Sequence, residues 1–242
     1  MDTQTGVILQ RLVAQWDEVN AALGRLNDAA TVRPGNGWNV FHALSGPTNN
    51  VIGFNFGPAV FNVPERANHV NADLFVVVDG RIAFRRELFE AEDILATDSF
   101  STRAAYFRQR GNGADHIYGA HYDFALDELG HPVFHAQMRS FAEMWGAVQE
   151  QYDIAGDAND CVLGILQTVR LPTAQMDIFS FFLQLCADHL LFANSSTEER
   201  AAFNLLLDKS SFIRGAGYQA ARLATEAART CYRARHWYPV LA

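Results

Sequence analysis

Residues 116–139, HIYGAHYDFALDELGHPVFHAQMR, constrain this chain more than any other stretch. Residues 116–125 are rich in aromatic side chains, residues 131–138 carry Val, Phe and Met, and the polar segment 126–130 between them ends in Gly130. Two such runs divided by a short polar segment predict a β-hairpin. Side chains alternate between the two faces of a strand, so His121 and Asp123 share one face and Tyr122 and Phe124 the other. With a five-residue loop at 126–130, His121 stands opposite His135, their Cβ atoms roughly 4.5–5.5 Å apart, and His121, Asp123 and His135 converge on one patch. A loop of even length would send His135 to the opposite face and dissolve the cluster. Four of the eight histidines lie within residues 116–135, which makes this hairpin the place to look for chemistry.

The flanking segments predict the rest of the fold. Residues 7–26 carry Ile8, Leu12, Val19, Leu23 and Leu26 at helical period, and the Arg33-Pro34-Gly35-Asn36-Gly37 run breaks that pattern. Residues 38–44 fit a short helix and 46–50 a loop. Residues 51–63 alternate around glycines and Pro58, as a strand with a bend does. Residues 73–78 form an apolar strand, and Asp79-Gly80 is the strongest turn signal in the chain, predicting a hairpin to a partner at 81–89. Residues 102–108 add another strand. After Ser140 the pattern becomes helical: 141–152, an apolar segment 161–169, and a helix opened by Pro172 with Thr173 as N-cap. That helix carries the stripe Phe179, Phe182, Leu183, Cys186 and Leu190. A further helix begins at Ser195 or Ser196 and runs to Leu207, and a last one spans 217–233. The expectation is a single α+β domain over 1–242: an N-terminal helix, an antiparallel sheet of five or six strands within 38–140, and a helical part over 141–242 packed on it.

A net charge of −8 removes any general attraction to nucleic acid or anionic membrane. The three cysteines, Cys161, Cys186 and Cys231, are far apart and lack metal spacing, as in a reduced, cytoplasmic protein. The N-terminus lacks the basic start and apolar core of a signal peptide, and no apolar run reaches the length of a membrane span.

Two imidazoles and a carboxylate suit manganese, iron or zinc with positions left open for substrate, so His121, Asp123 and His135 are candidate metal ligands, with His131 or His116 available to complete the set. A metal-free alternative uses His121 and His135 as general base and acid on a phosphodiester, with Arg139 or Arg170 holding the phosphate. His121-Tyr122-Asp123 also matches the H-x-D of iron/2-oxoglutarate oxygenases, with His189 and Arg200 at passable spacing, but both lie in helical sequence where that barrel needs strands. Asp73 and Glu87 form a poor match to a nuclease carboxylate pair. Asp177, Ser180, Gln184 and Asp188 make a polar stripe on the helix after Pro172.

His131-Pro132-x-x-His135-x-Gln137 followed by Arg170-x-Pro172-Thr173 at a helix start resembles a group of uncharacterised bacterial proteins over roughly residues 100–190; the resemblance implies no activity. Two functional readings follow from the residues. One is a metal-dependent hydrolase of phosphodiesters acting on a small-molecule or nucleotide substrate. The other is a non-catalytic binding or assembly protein, with structural histidines and a protein partner or a second copy of itself.

Overall fold

The computed structural model describes residues 2–26, 33–34, 40–44, 50–64, 73–124, 134–164, 166, 170–173, 175–191, 193–210 and 213. The loop expected at 126–130, His131, the helix expected at 217–233 and Cys231 lie outside the described residues.

The architecture is α+β. Helix α1 (Thr3–Leu26) buries Ile8, Leu12, Trp16, Val19, Leu23 and Leu26, the helical-period residues of the sequence with Trp16 added. The strands are β1 (Arg33–Pro34), β2 (Phe41–Ala43), β3 (Val51–Pro64), β4 (Asp73–Arg85), β5 (Thr97–Arg110), β6 (Gly113–Phe124), β7 (Phe134–Met138), β8 (Ala158–Asp160) and β9 (Arg170–Pro172). Seven follow the order β1-β3-β4-β5-β6-β7-β9, with β2 joined to β3 and β8 joined to β6. The β6–β8 pairing is parallel and the other pairings are antiparallel. The sheet is therefore larger than the five or six strands expected, and mixed. Among the described residues after Ser140, α3 (Trp145–Tyr152), α4 (Ile178–His189) and α5 (Thr197–Ser210) are helical, but β8 and β9 belong to the sheet, so this part is not wholly helical.

Three local expectations fail for identifiable reasons. Asp79-Gly80 is not a turn: β4 runs unbroken through it, pairing Asp79 with Arg103 and Gly80 with Thr102 on β5. The Asp79 carboxylate accepts from Arg103 Nε at 2.7 Å instead of closing a turn on its own backbone. A Cβ on Gly80 would sit 2.4 Å from the Ser101 carbonyl oxygen, so glycine is there for close backbone approach. The segment 81–89 is not a partner strand: residues 81–85 continue β4, and Arg86–Glu92 is helix α2. The hairpin turn that follows is at Gly111, whose φ of +55° suits glycine. Within the expected 38–44 helix, Phe41–Ala43 is a strand paired with Phe54–Phe56; Phe41 is buried against Phe56 and Phe179. Pro172 ends β9 rather than opening a helix, and Thr173 N–H donates to the Phe134 carbonyl. The N-cap of α4 is Asp177, whose carboxylate accepts from the N–H groups of Phe179 and Ser180 at 3.0 and 3.4 Å. The expected cap at Ser196 is present as a reciprocal capping box: Ser196 N–H donates to Glu199 and Glu199 N–H to the Ser196 hydroxyl.

The sheet is covered unequally. One face packs on α1, α4 and α5 through Phe54, Phe56, Phe61, Val76, Val78, Phe84 and the α4 residues Phe179, Phe181 and Phe182. Among the described residues, the opposite face packs on α3 at one end, where Val60, Phe75, Val77, Ala105 and Phe107 meet Phe141, Met144, Trp145 and Val148. The two rows next to that cluster on this face, through Asp79 and Arg103 and through Arg81 and Ser101, are polar.

Candidate functional site

Strand period and register bring the histidine hairpin together on this polar half. Asp123 pairs with His135, and His121 with Gln137. His135 therefore stands opposite Asp123 and diagonal to His121, not directly opposite it. The shift is two residues, so the face is unchanged. Its cause lies on the other side of the same strands. Phe124 pairs with Phe134 and stacks on it at a centroid distance of 5.0 Å, and Phe100 of β5 stacks on both at 6.1 and 5.9 Å. The expected register would have set Phe134 opposite Tyr122 and broken that stack. Tyr122 instead packs on Phe181 of α4, on the face opposite His121.

One imidazole nitrogen from each of His121 and His135 and one carboxylate oxygen of Asp123 all lie within 4.8 Å of one another. His121 Nε2 is 3.1 Å from Asp123 Oδ2, and the two imidazoles meet edge to face at 6.3 Å. His135 is almost fully buried, while His121 and Asp123 keep 14% and 25% of their side-chain surface exposed. The cluster is thus anchored on its inner side and open on its outer side. An ion bound tetrahedrally at ~2.0–2.2 Å sets its ligand atoms roughly 3.3–3.6 Å apart, so the widest pair of the trio closes by up to about 1.5 Å on binding. The His121 imidazole titrates below its ordinary 6.5. Burial is the main cause; Arg139 and His135 push the same way, against Asp123 and a hydrogen bond with Gln137. A neutral imidazole is the form that binds a metal.

The other sequence candidates fall at different distances from this centre. Arg139 follows β7, reaches Gln137 Oε1 at 3.4 Å and lies close enough to depress His121. Arg170 pairs with Gln137 in the β7–β9 register, one strand outward. His116 does not join the trio: it lies farther back along β6, its fully buried ring packs on Phe107, and its Nδ1 lies 3.2 Å from Asp160. Asp160 also accepts from the Ser140 hydroxyl and Val162 N–H, so His116 ties β6 to β8. His189 stacks near Tyr106 on the α4 face, and Arg200 lies in α5 and donates to the Ser195 and Ala193 carbonyls. Neither can complete an oxygenase triad with His121. Asp73 and Glu87 do not form a carboxylate pair, since Glu87 sits on α2. Of the polar stripe on α4, Asp177 is the buried N-cap, which also accepts from the Ser180 hydroxyl, and Gln184 donates to Asp188 at the surface.

Residues that the sequence reading passed over adjoin the trio. The register continues from Gln137 and His121 through Arg103 to Asp79, and from His135 and Asp123 through Ser101 to Arg81 and Asn55. Asn55, Asp79, Arg81, Ser101 and Arg103 line an open cleft of about 450 Å³. Alternation along 97–110 would have placed Ser101 and Arg103 on this face; reading Asp79-Gly80 as a turn removed the strand that carries them toward β4. Comparison with family models, curated proteins and solved structures finds no match.

Proposed function

We propose that the chain is a metal-dependent hydrolase, most simply of phosphodiesters, with His121, Asp123 and His135 as the ligands of one divalent ion. The observation that carries this reading is the three donor atoms within 4.8 Å on two paired strands, buried behind and open in front. Two imidazoles and one carboxylate give the mixed nitrogen and oxygen set that manganese, iron and zinc accept, with positions left over. Such an ion lowers the pKa of a bound water toward neutrality and polarises a phosphoryl oxygen. The residues of the chain supply the remainder. Gln137 holds the His121 ring by a hydrogen bond, the outer-shell support that fixes a ligand's orientation. Arg139 stands beside the trio with donors to spare for a phosphate oxygen, and Arg170 occupies the next strand at the same register level.

The test is metal binding by chelator-treated protein, followed calorimetrically with manganese, zinc and ferrous iron, alongside hydrolysis of bis(p-nitrophenyl) phosphate. A single saturable ion and metal-dependent hydrolysis are expected, both lost in His121→Ala and in His135→Ala. The double variant should be no worse than either single one, because members of one site act as a unit. Protein with no affinity for any of the three ions would overturn the metal reading, and hydrolysis that survives chelation would point to His121 and His135 acting as metal-free base and acid.

A further inference from the structure

The cleft beside the trio has a chemistry of its own. Arg81 is exposed at its edge, and no hydrogen bond or ion pair engages it among the described residues. Its register neighbours on either side are Asn55 and Ser101, which add an amide and a hydroxyl. Arg103 closes the next row. Its Nε and one terminal nitrogen donate to the two Asp79 oxygens, and its guanidinium stands over the Phe141 ring at 5.6 Å. That clamp holds Arg103 in place and, among the described residues, leaves its other terminal nitrogen outside any ion pair. Asp79, the only acid among the described residues lining the cleft, is thereby engaged, and even with Glu143 also acting on Arg103 the lining keeps two guanidinium groups against one carboxylate although the whole chain is acidic. Donors from four side chains around one opening suit an anion with several oxygens more than a two-oxygen carboxylate.

We infer that this cleft is a binding site for a terminal phosphate group, held by Arg81 with Ser101, Asn55 and the outer N–H groups of Arg103, and separate from the His121–Asp123–His135 trio. Ser101 is one strand from Asp123 and Arg81 two, which sets the phosphate about 10 Å from the trio at the usual strand spacing. The binding site itself does not depend on the hydrolase reading. Only its consequence does: if the trio hydrolyses phosphodiesters, the preferred substrate carries a second, terminal phosphate about two strand spacings from the bond that breaks.

Inorganic phosphate is the probe, titrated into the full, chelator-treated chain by calorimetry and by phosphorus NMR. Saturable binding is expected without metal. Arg81→Gln should weaken it at least about tenfold, the worth of one good charged contact, with Arg81→Lys retaining part of it and Ser101→Ala giving a smaller loss. Arg81 is exposed, so an unchanged melting temperature confirms that the variants fold. His135→Ala should leave phosphate binding intact. The inference is overturned if phosphate does not bind saturably, if Arg81→Gln binds as well as the parent, or if binding requires added manganese and disappears with His135→Ala. Phosphate binding by protein that takes up no metal would sustain this site while sinking the metal centre, so the two readings fail separately.

Discussion

The two faces of the sheet are built from the same strands and do different work. On the α1/α4/α5 face, Phe56, Phe61, Phe181 and Phe182 interlock with Trp16 at ring distances of 5.0–6.4 Å. On the other face α3 covers one end, and the rows beyond carry Asp79, Arg81, Ser101, Arg103, His121, Asp123, His135 and Gln137. Strand alternation lets apolar burial concentrate on one side, so the other can hold imidazoles, carboxylates and guanidinium groups whose burial would otherwise be costly. The difference shows that the polar half is not an unfinished core. Its groups are paired, Asp79 with Arg103 across two strands and His121 with Asp123 along one, and ordered by the packing behind them.

Substitutions on the two faces should therefore separate. The largest effect is expected at Phe182, which is fully buried between Trp16, Phe56 and Phe61. Phe182→Ala should cost about 3–5 kcal/mol, read from the denaturation midpoint; an unchanged midpoint would break the contrast. Next comes Gly80→Ala, which should cost about 1–3 kcal/mol by overpacking, because its Cβ meets the backbone of Ser101 and Thr102 rather than a flexible side chain. A neutral outcome would return Asp79-Gly80 to a solvent-exposed turn.

A smaller effect is expected at Asp177. Asp177→Ala removes the α4 cap and should cost roughly 0.5–2 kcal/mol. Burial raises the Asp177 carboxyl above its ordinary 3.8, against hydrogen bonds from Gln175, Ser180 and Phe179. The folded state then holds this proton more tightly than the unfolded one, and stability falls as pH rises from 3.8 through the folded value. Asp177→Asn keeps the cap oxygen and should flatten that loss, which denaturant midpoints taken across the acid range would show.

The smallest stability effect belongs to the polar face. The His121 pKa is lowered, chiefly by burial, so the unfolded chain binds this proton first. Its contribution is complete above 6.5 and is lost as pH falls from there through the folded value. In metal-free protein His121→Asn should remove that acid-side slope and change little at pH 8. A slope as steep as that of the parent would show that His121 does not titrate as its surroundings imply.

Much of the fold was legible because it rests on period. The stripe on α1, the strands at 51–63, 73–78 and 102–108, the box at Ser196 and Glu199 and the shared face of His121 and Asp123 all follow from local alternation or local capping. His135 joins that face only for a loop of odd length, which the sequence left open and the β6–β7 register supplies. Asp79-Gly80 and Pro172-Thr173 misled because a local signal is overridden when tertiary partners use the same atoms. The Asp79 carboxylate is engaged by Arg103 from a neighbouring strand, and Pro172 is held in a strand beside His135.

By itself, then, the sequence determined which residues alternate and therefore which can share a face, since that depends only on backbone geometry within one strand. Which of those residues become neighbours was decided by the tertiary structure. The Phe100–Phe124–Phe134 stack chose the register that sets His135 against Asp123. The pairing of β4 with β5 chose to bring Arg81 and Arg103 beside the trio. Register is a contest among cross-strand contacts, and the winning contacts join residues far apart in the chain, where no local period reaches.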